Sequence, residues 1–251
     1  MANNSARGAF ADVPYNVKIA GHVSGLDSVK HPEFLQASGE MTSGEYTCFL
    51  TKALAQIAAH TAKGAVIYIC IDFRHIGELQ EAAAANGLIL LNLCVWVKTN
   101  GGMGSFYRSQ HELVFVFANG LARRTNNIQL GRFGRNRSNV WHYAGSNIRP
   151  RKSGEDLLSL HPTVKPTLLV ADAMRDSTKR GEVVLDPFMG SGTSILAAER
   201  TGRRCYGIEL DPRYVDTAIA RWERLTGKMA VHESGKTFAE VRAERGATDE
   251  R

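Results

Sequence analysis

Near the start of the chain, an acid, a proline-held turn and an aromatic ring occupy consecutive positions in the stretch Asp12-Val13-Pro14-Tyr15. The short apolar run 8–11 precedes them and is typical of a buried strand, so the carboxylate would stand where that strand ends. There the carboxylate can accept hydrogen bonds, and the ring can stack on a flat ligand. Taken alone, the same residues could equally form a strand end and a simple proline turn.

A second group of residues suited to ligand binding spans 183–209. A buried strand, 183–185, ends in Asp186, the Gly-rich turn 190–193 follows, and after a helical segment a second strand ends in Glu209. Glycines let the backbone approach a ligand closely, and an acid after the second strand can accept hydrogen bonds from ribose hydroxyls. The order of these features indicates a site for an adenosine-containing ligand.

The residues missing from this turn narrow the choice of ligand. A phosphate-binding P-loop would have a Lys before Thr193, and a dinucleotide site would have a third Gly near Ile195. At the strand end, Asp186 would meet a cation rather than a phosphate. S-adenosylmethionine fits these residues best, because it joins adenosine to a positively charged end and has no phosphate. NAD and phosphate ligands are the disfavoured alternatives.

Positive charge is concentrated in one segment of the chain. The net charge is +6, yet residues 113–154 contain no Asp or Glu. The eight cations of this segment are Arg123, Arg124, Arg132, Arg135, Arg137, Arg149, Arg151 and Lys152. A solvated basic loop is one interpretation, but cations without compensating acids repel one another, so a polyanionic partner is favoured.

The elements that would position these groups alternate between strands and helices. Apolar runs predict buried strands at 66–71, 88–97, 113–117, 183–185 and 205–208. Helical patterns occupy 51–62, 77–87, 165–181, 194–202 and 211–227, the last with Asp211 as a cap and Pro212 in its first turn. This alternation predicts an α/β fold with a mostly parallel, doubly wound sheet. Two segments do not fit it: residues 119–160 look like a basic insertion, and the charged residues 228–251 are expected to form a frayed, disordered tail.

Four motifs together resemble the amino-directed DNA methyltransferases, which modify adenine N6 or cytosine N4. "DPFMGSGT" (186–193) resembles their cofactor motif, and "DVPY" (12–15) resembles their catalytic Asp/Asn/Ser-Pro-Pro-Tyr motif. "HPTVKP" (161–166) and "WVKTNGGMGSFYRSQHELVFVF" (96–117) resemble two further family segments. Their order is that of the permuted, β-type members. The resemblance implies a Rossmann-like, circularly permuted methyltransferase domain over 8–227, with residues 119–160 as a target-recognition insert.

The resemblance also implies a role for each matching residue. The catalytic residues would be Asp12, Val13, Pro14 and Tyr15. The S-adenosylmethionine site would be formed by Asp186, Pro187, Phe188, Gly190, Ser191, Gly192, Thr193 and Glu209, with Thr163 and Lys165 near the methionine end. Double-stranded DNA would be contacted by Arg108 and by the eight cations of the basic segment, mostly through phosphates.

These roles imply a mechanism of methyl transfer to a base that has left the helix. The Asp12 carboxylate and the Val13 carbonyl would accept the N–H bonds of the exocyclic amine, while Tyr15 stacks on the base. Adenine N6 is the preferred target, because Asp in the catalytic motif resembles adenine enzymes; cytosine N4 is the alternative. All of this requires that the strand ends at 12 and 186 open side by side into one cleft.

Two departures from the family pattern support a different reading. Val13 replaces a proline, which reduces the rigidity that aims its carbonyl. Only eleven residues precede Asp12, where family members have a further strand and an acidic turn. A truncated chain with a partly open cofactor pocket would be a weakly active or inactive remnant that still binds DNA.

Other features set broader expectations. No apolar run reaches the ~18 residues of a membrane span, and the first residues do not resemble a secretory signal, so a cytoplasmic location is expected. The four cysteines lack the paired spacing of a zinc site or a disulfide framework, so no metal is expected and the thiols should be reduced. Family members are often dimers, which makes a homodimer the expected assembly.

Overall fold

A seven-stranded sheet organises the computed structural model, which describes residues 5–17, 36–102, 106–132, 136–145 and 165–249. The strands are β1 (Ala6–Asp12), β2 (Thr61–Ile71), β3 (Leu88–Val97), β4 (His111–Asn119), β5 (Val140–His142), β6 (Val183–Asp186) and β7 (Arg204–Gly207). Their order across the sheet is β5-β3-β4-β2-β1-β6-β7. Only β4 runs antiparallel to its neighbours, so the predicted mostly parallel sheet is confirmed.

The central pairing brings distant parts of the chain together. Strand β1 lies between β2 and β6 and is parallel to both, with Gly8 opposite Val184 and Ala9 opposite Leu185. The carboxyl ends of β1, β2, β6 and β7 therefore open on one side of the sheet, which we call the carboxyl edge. The loop between β3 and β4 reaches the same edge, because Leu113 at the start of β4 pairs with Ile71 at the end of β2.

The described ranges contain six helices. They are α1 (Ser43–His60), α2 (Ile76–Ala85), α3 (Thr167–Ser177), α4 (Thr193–Thr201), α5 (Pro212–Thr226) and α6 (Phe238–Asp249), and a short 3-10 turn spans Phe73–His75. The side chain of Asp211 caps α5 by accepting from the Arg213 N–H at 2.9 Å, and Pro212 lies in its first turn, as predicted.

The alternation of side chains in β2 divides the core between the two faces of the sheet. Ile67, Ile69 and Ile71 pack with residues of α1 and α2 on one face, whereas Val66 and Tyr68 pack with residues of α3 and α4 on the other. Burying each of the large aliphatic side chains stabilises the fold by ~1.5–3 kcal/mol. Helices on both faces of the sheet confirm the doubly wound architecture.

Three segments differ from the sequence prediction. Helix α1 begins at Ser43 rather than residue 51, because Thr42 and Glu45 form a capping box. The predicted insertion 119–160 is not separate from the sheet, since Val140–His142 adds β5 to its edge beside β3. The expected tail contains α6, whose first turn is stabilised by reciprocal hydrogen bonds between Thr237 and Glu240. The expectation of disorder is corrected for that helix.

Within the ranges described above, none of the helices combines the length and the apolar composition that a membrane span requires.

Candidate active site

A cleft of about 350 Å³ opens at the carboxyl edge, above the ends of β1 and β6. Asp12 and Asp186 both line it, which confirms that the two strand ends share one opening. The other residues of the predicted catalytic motif, Val13, Pro14 and Tyr15, line the same cleft, as do the turn 187–191 and Glu209. The sequence-predicted catalytic and cofactor-binding groups therefore meet at one place.

The Gly-rich turn is held by contacts that require its residue types. Gly192 has φ +84°, and a Cβ atom placed there would lie 2.6 Å from the Cβ of Ala218 in α5. Only glycine allows this backbone and this close approach between the turn and α5. From α5, the buried Arg221 donates to the carbonyl oxygen of Ser191 at 2.6 Å and to its hydroxyl at 2.9 Å. Contacts with α5 thus fix the turn on one side, and its other side faces the cleft.

Glu209 connects the end of β7 to the same turn. One carboxylate oxygen accepts from the Gly190 N–H at 2.7 Å, and the other accepts from the Asp211 N–H at 2.9 Å. Both contacts fix the carboxylate while each oxygen retains a further lone pair for a ligand. Its position in the cleft suits it to accept hydrogen bonds from the hydroxyl groups of a ribose.

Asp186 is a buried carboxyl that faces the cleft. Burial raises its pKa to about 7, and hydrogen bonds from Ser194 and from the Phe188 N–H oppose the shift only in part. Within the described ranges, no Lys or Arg side chain forms an ion pair with it. A cationic group bound in the cleft would give this carboxyl the positively charged partner that the described Lys and Arg side chains do not provide.

Two side chains hold the catalytic motif in place after β1. The hydroxyl of Tyr46 in α1 donates to the Pro14 carbonyl at 2.7 Å. Asn16, at φ 51°, accepts from the Met41 N–H at 3.2 Å and donates to the Met41 carbonyl at 2.8 Å. These contacts fix the turn that carries Val13, where the resemblance leads one to expect a proline. The reduced rigidity expected from that replacement is therefore offset.

Asp12 belongs to a compact network of ionised groups. Its Oδ1 accepts from the Tyr15 hydroxyl at 2.9 Å, and its Oδ2 contacts the Lys165 Nζ at 2.7 Å. Glu112, at the start of β4, lies 3.0 Å from both the Tyr15 hydroxyl and the Lys165 Nζ. Lys98 contacts the other oxygen of Glu112 at 2.6 Å. Lys165, predicted near the methionine end of a cofactor, lines the cleft and is held against Asp12 and Glu112.

The ionisable groups of this network differ in the direction of their pKa shifts. Burial raises the pKa of Asp12, although the Lys165 ammonium opposes the shift. Burial would also raise the pKa of Glu112, but Lys165 and Lys98 together lower it to about 2. Burial lowers the pKa of Lys165 less than the two carboxylates raise it, so the ammonium stays charged. Glu112 is therefore an anion that fixes Lys165 against Asp12.

Sequence reasoning missed three members of the site. Glu112 and Lys98 flank the β3–β4 loop and become neighbours because Trp96 pairs with Glu112 across the two strands. An acid and a base at the two ends of a predicted hairpin loop would have been a usable signal. Tyr46 gave no such signal, because it is an ordinary buried position of an amphipathic helix.

The predicted DNA-binding cations fall at different places in the fold. Arg108 is exposed on the β3–β4 loop, beside the exposed aromatic pair Phe106 and Tyr107. Arg123 and Arg124 are exposed beyond the end of β4, at the edge of the sheet opposite the carboxyl edge. The Arg123 backbone packs closely against Gly64 in β2, because a Cβ atom on Gly64 would lie only 2.7 Å from the Arg123 carbonyl oxygen.

Two further arginines of the basic segment lie within the described part of the chain. Arg132 is exposed between β4 and β5. Arg137 lies 5.2 Å from the Trp141 ring centroid and pairs with Asp176 at 2.5 Å, so it stabilises the fold locally. The remaining predicted site residues lie outside the described residues: Arg135, Arg149, Arg151, Lys152 and Thr163.

The chain is similar in sequence to known proteins. The profile of the family N6_N4_Mtase, described as DNA methylase, matches residues 7–220. The Type II methyltransferase M2.DpnII of Streptococcus pneumoniae is 32% identical over 165 residues, which are 62% of this chain and 60% of that protein. The Type II methyltransferase M.HpaI of Haemophilus parainfluenzae is 26% identical over 241 residues, or 88% of this chain and 69% of that protein. The chain thus spans somewhat under two thirds of the length of the first relative.

Solved structures share the fold. The crystal structure of the M1.HpyAVI–SAM complex superposes with a TM-score of 0.63 at 22% identity, covering 88% of this chain and 90% of that one. The cytosine-N4-specific PvuII DNA methyltransferase gives a TM-score of 0.64 at 15% identity, covering 90% of this chain and 86% of that one. With the profile match over most of the sequence, the chain belongs to the DNA methylase family of N6 and N4 methyltransferases.

Proposed function

We propose that this protein transfers a methyl group from S-adenosylmethionine to the exocyclic amine of a base in double-stranded DNA, with adenine N6 as the target. The observation that carries the proposal is the shared cleft: Asp12, which would bind the amine, and Asp186, which would bind the methyl donor, end adjacent parallel strands. Family membership and the relatives named as Type II methyltransferases support the same reaction.

The residues around the Gly-rich turn fit S-adenosylmethionine. The buried Asp186 has no cationic partner among the described residues and would pair with the ammonium group. Glu209 would accept hydrogen bonds from the ribose, and Gly190, which lines the cleft, allows the backbone to approach the ligand. The M1.HpyAVI structure of the same fold is a SAM complex. When bound, this donor would supply the methyl group from its sulfonium and leave as a neutral thioether, and the methylated nitrogen would release one proton to solvent.

The catalytic motif would activate the amine. An exocyclic amine is a poor nucleophile, because its lone pair is delocalised into the ring of the base. Acceptance of its two N–H bonds by the Asp12 carboxylate and the Val13 carbonyl would draw the nitrogen towards tetrahedral geometry and release that lone pair. Tyr15 would stack on the base outside the helix. Positioning by these groups needs no covalent enzyme intermediate.

The preference for adenine rests on the acid of the motif. Asp at position 12 resembles the adenine enzymes, whereas Ser is commoner in enzymes that act on cytosine N4. The fold does not distinguish the two targets, since the PvuII enzyme of the same fold is cytosine-N4-specific.

Nucleoside analysis of DNA from cells that express the chain tests this proposal. The cells should lack methylation of their own, and a matched culture should express Asp12→Ala. We expect N6-methyladenine with the wild-type chain and none with the variant. N4-methylcytosine instead would correct the target base, whereas equal background with both chains would contradict the enzyme and leave only DNA binding.

A further inference from the structure

The hydroxyl of Tyr15 faces two carboxylates but has one proton to donate. Its oxygen lies 2.9 Å from Oδ1 of Asp12 and 3.0 Å from Oε2 of Glu112. A tyrosine hydroxyl donates one hydrogen bond, so it can serve only one of these acceptors at a time. Burial beside the two carboxylates raises the pKa of Tyr15, so the proton stays on the hydroxyl in either arrangement.

The two arrangements have different consequences for Asp12. When Tyr15 donates to Asp12, both carboxylate oxygens are engaged by protein groups, since Lys165 already occupies Oδ2 at 2.7 Å. When Tyr15 donates to Glu112, Oδ1 of Asp12 is left for a donor from the cleft. Oδ1 keeps a second lone pair when it accepts from Tyr15, but that hydrogen bond draws on its negative charge, so Oδ1 is a stronger acceptor for an incoming amine once the hydroxyl has turned away.

Glu112 is held in the position that this exchange requires. Lys98 contacts Oε1 at 2.6 Å and Lys165 contacts Oε2 at 3.0 Å, and the Glu112 side chain is only 16% exposed. Glu112 does not line the cleft, so a ligand there would meet Asp12 and Tyr15 instead. An anion fixed by two cations is a stronger acceptor for a hydroxyl than a neutral group would be.

On the basis of the proposed function, we propose that Glu112 is a positioning residue that takes over the hydrogen bond of Tyr15 when the target base enters. The hydroxyl turns from Asp12 to Glu112, and Oδ1 of Asp12 then accepts an N–H bond of the amine. No covalent bond changes in this exchange. The ring of Tyr15 stays beside the base throughout, because rotation about its C–O bond moves only the hydroxyl hydrogen.

A double-mutant cycle tests this exchange. The wild type, Glu112→Gln, Tyr15→Phe and the double variant are compared in single-turnover transfer of tritiated methyl from S-adenosylmethionine to plasmid DNA. In the Tyr15 background, Glu112→Gln should slow transfer about tenfold, because a neutral acceptor competes less well for the hydroxyl. In the Tyr15→Phe background there is no hydroxyl to move, and the same substitution should change the rate by less than about twofold.

Equal slowing by Glu112→Gln in both backgrounds would overturn the proposal, because Glu112 would then act only through Lys165 or through packing. The KM for DNA and the affinity for S-adenosylhomocysteine should stay near the wild-type values in Glu112→Gln, whereas a general loss of structure would change both.

If removal of the charge prevents folding, Glu112→Asp replaces it in the cycle. This variant keeps the negative charge but places it farther from the Tyr15 hydroxyl. The decrease in the methyl-transfer rate that it causes must likewise be smaller in the Tyr15→Phe background than in the Tyr15 background. Absence of methyl transfer by the wild type would instead contradict the proposed function itself.

Discussion

Asp12 and Asp186 end adjacent parallel strands and line one cleft, although they lie in distant parts of the sequence. The pairing of Gly8 with Val184 and of Ala9 with Leu185 sets this relationship. Because β1 stands between β2 and β6, the catalytic motif after β1 faces the Gly-rich turn after β6.

Replacement of Glu209 should weaken binding of the methyl donor. Glu209→Ala removes the carboxylate that accepts from Gly190 and Asp211, and with it the proposed ribose contact. We expect S-adenosylhomocysteine to bind ~10–100-fold more weakly by calorimetry, as for loss of hydrogen bonds to a charged group. Glu199→Ala, on α4 and away from the cleft, is the matched control and should bind like the wild type. Equal affinity of both variants for S-adenosylhomocysteine would show that Glu209 does not contribute to binding of the methyl donor.

The close approach of Gly192 to α5 should make this glycine less replaceable than Gly227, which also has a positive φ. Gly227 has φ +69° and open space around it, so Gly227→Ala should cost ~1–2 kcal/mol through its backbone alone. Gly192→Ala adds a Cβ 2.6 Å from that of Ala218, which should cost a further ~1–3 kcal/mol and weaken ligand binding. Urea unfolding of the two variants measures the difference. Equal destabilisation would show that the contact with α5 is unimportant.

Asp186 should make the free protein less stable as the pH rises. Its pKa is about 7 in the fold against an ordinary 3.8, so between these values the native state binds a proton that the unfolded chain has lost. Stability from this group therefore falls as the pH rises from about 4 to about 7, by up to ~4 kcal/mol. Asp186→Asn should flatten this part of the profile in urea unfolding at pH 5 and pH 8. An unchanged slope in the variant would contradict the assignment.

Substitution of the arginines predicted to bind DNA should affect DNA binding differently according to their position in the fold. Arg108 lies on the loop at the carboxyl edge, whereas Arg123 and Arg124 lie at the opposite side of the sheet. Arg108→Ala should weaken DNA binding and lower the salt slope by about one phosphate contact. Arg123→Ala, with the same loss of charge, should leave the KM for DNA within about twofold of the wild type. The reverse order would mean that DNA approaches the other edge.

The sequence is informative where a pattern is local. The apolar runs of β2 and β6, the glycines after Asp186 and the cap at Asp211 can all be recognised from neighbouring residues, and the structure contains each of them. The three-residue strand β5 is too short for a periodic pattern, so its place beside β3 could not be predicted.

The part of the site that escaped prediction depends on contacts between distant segments. Glu112 contacts Tyr15 and Lys165 only because β4 inserts antiparallel between β3 and β2. Composition likewise shows that residues 113–154 are basic, but it cannot show on which side of the sheet Arg123 and Arg137 lie. Strand order decides both, and no spacing within the sequence encodes it.

Methyl transfer by three chains tests the central claim most directly: the wild type, Asp12→Ala and Asp72→Ala. Asp72 follows the neighbouring strand β2, but it accepts from the Arg74 N–H at 2.9 Å as a cap and does not line the cleft. With tritiated S-adenosylmethionine and plasmid DNA, Asp12→Ala should lose at least ~100-fold in rate. Asp72→Ala should retain activity near that of the wild type. Equal transfer by the wild type and Asp12→Ala would contradict the account.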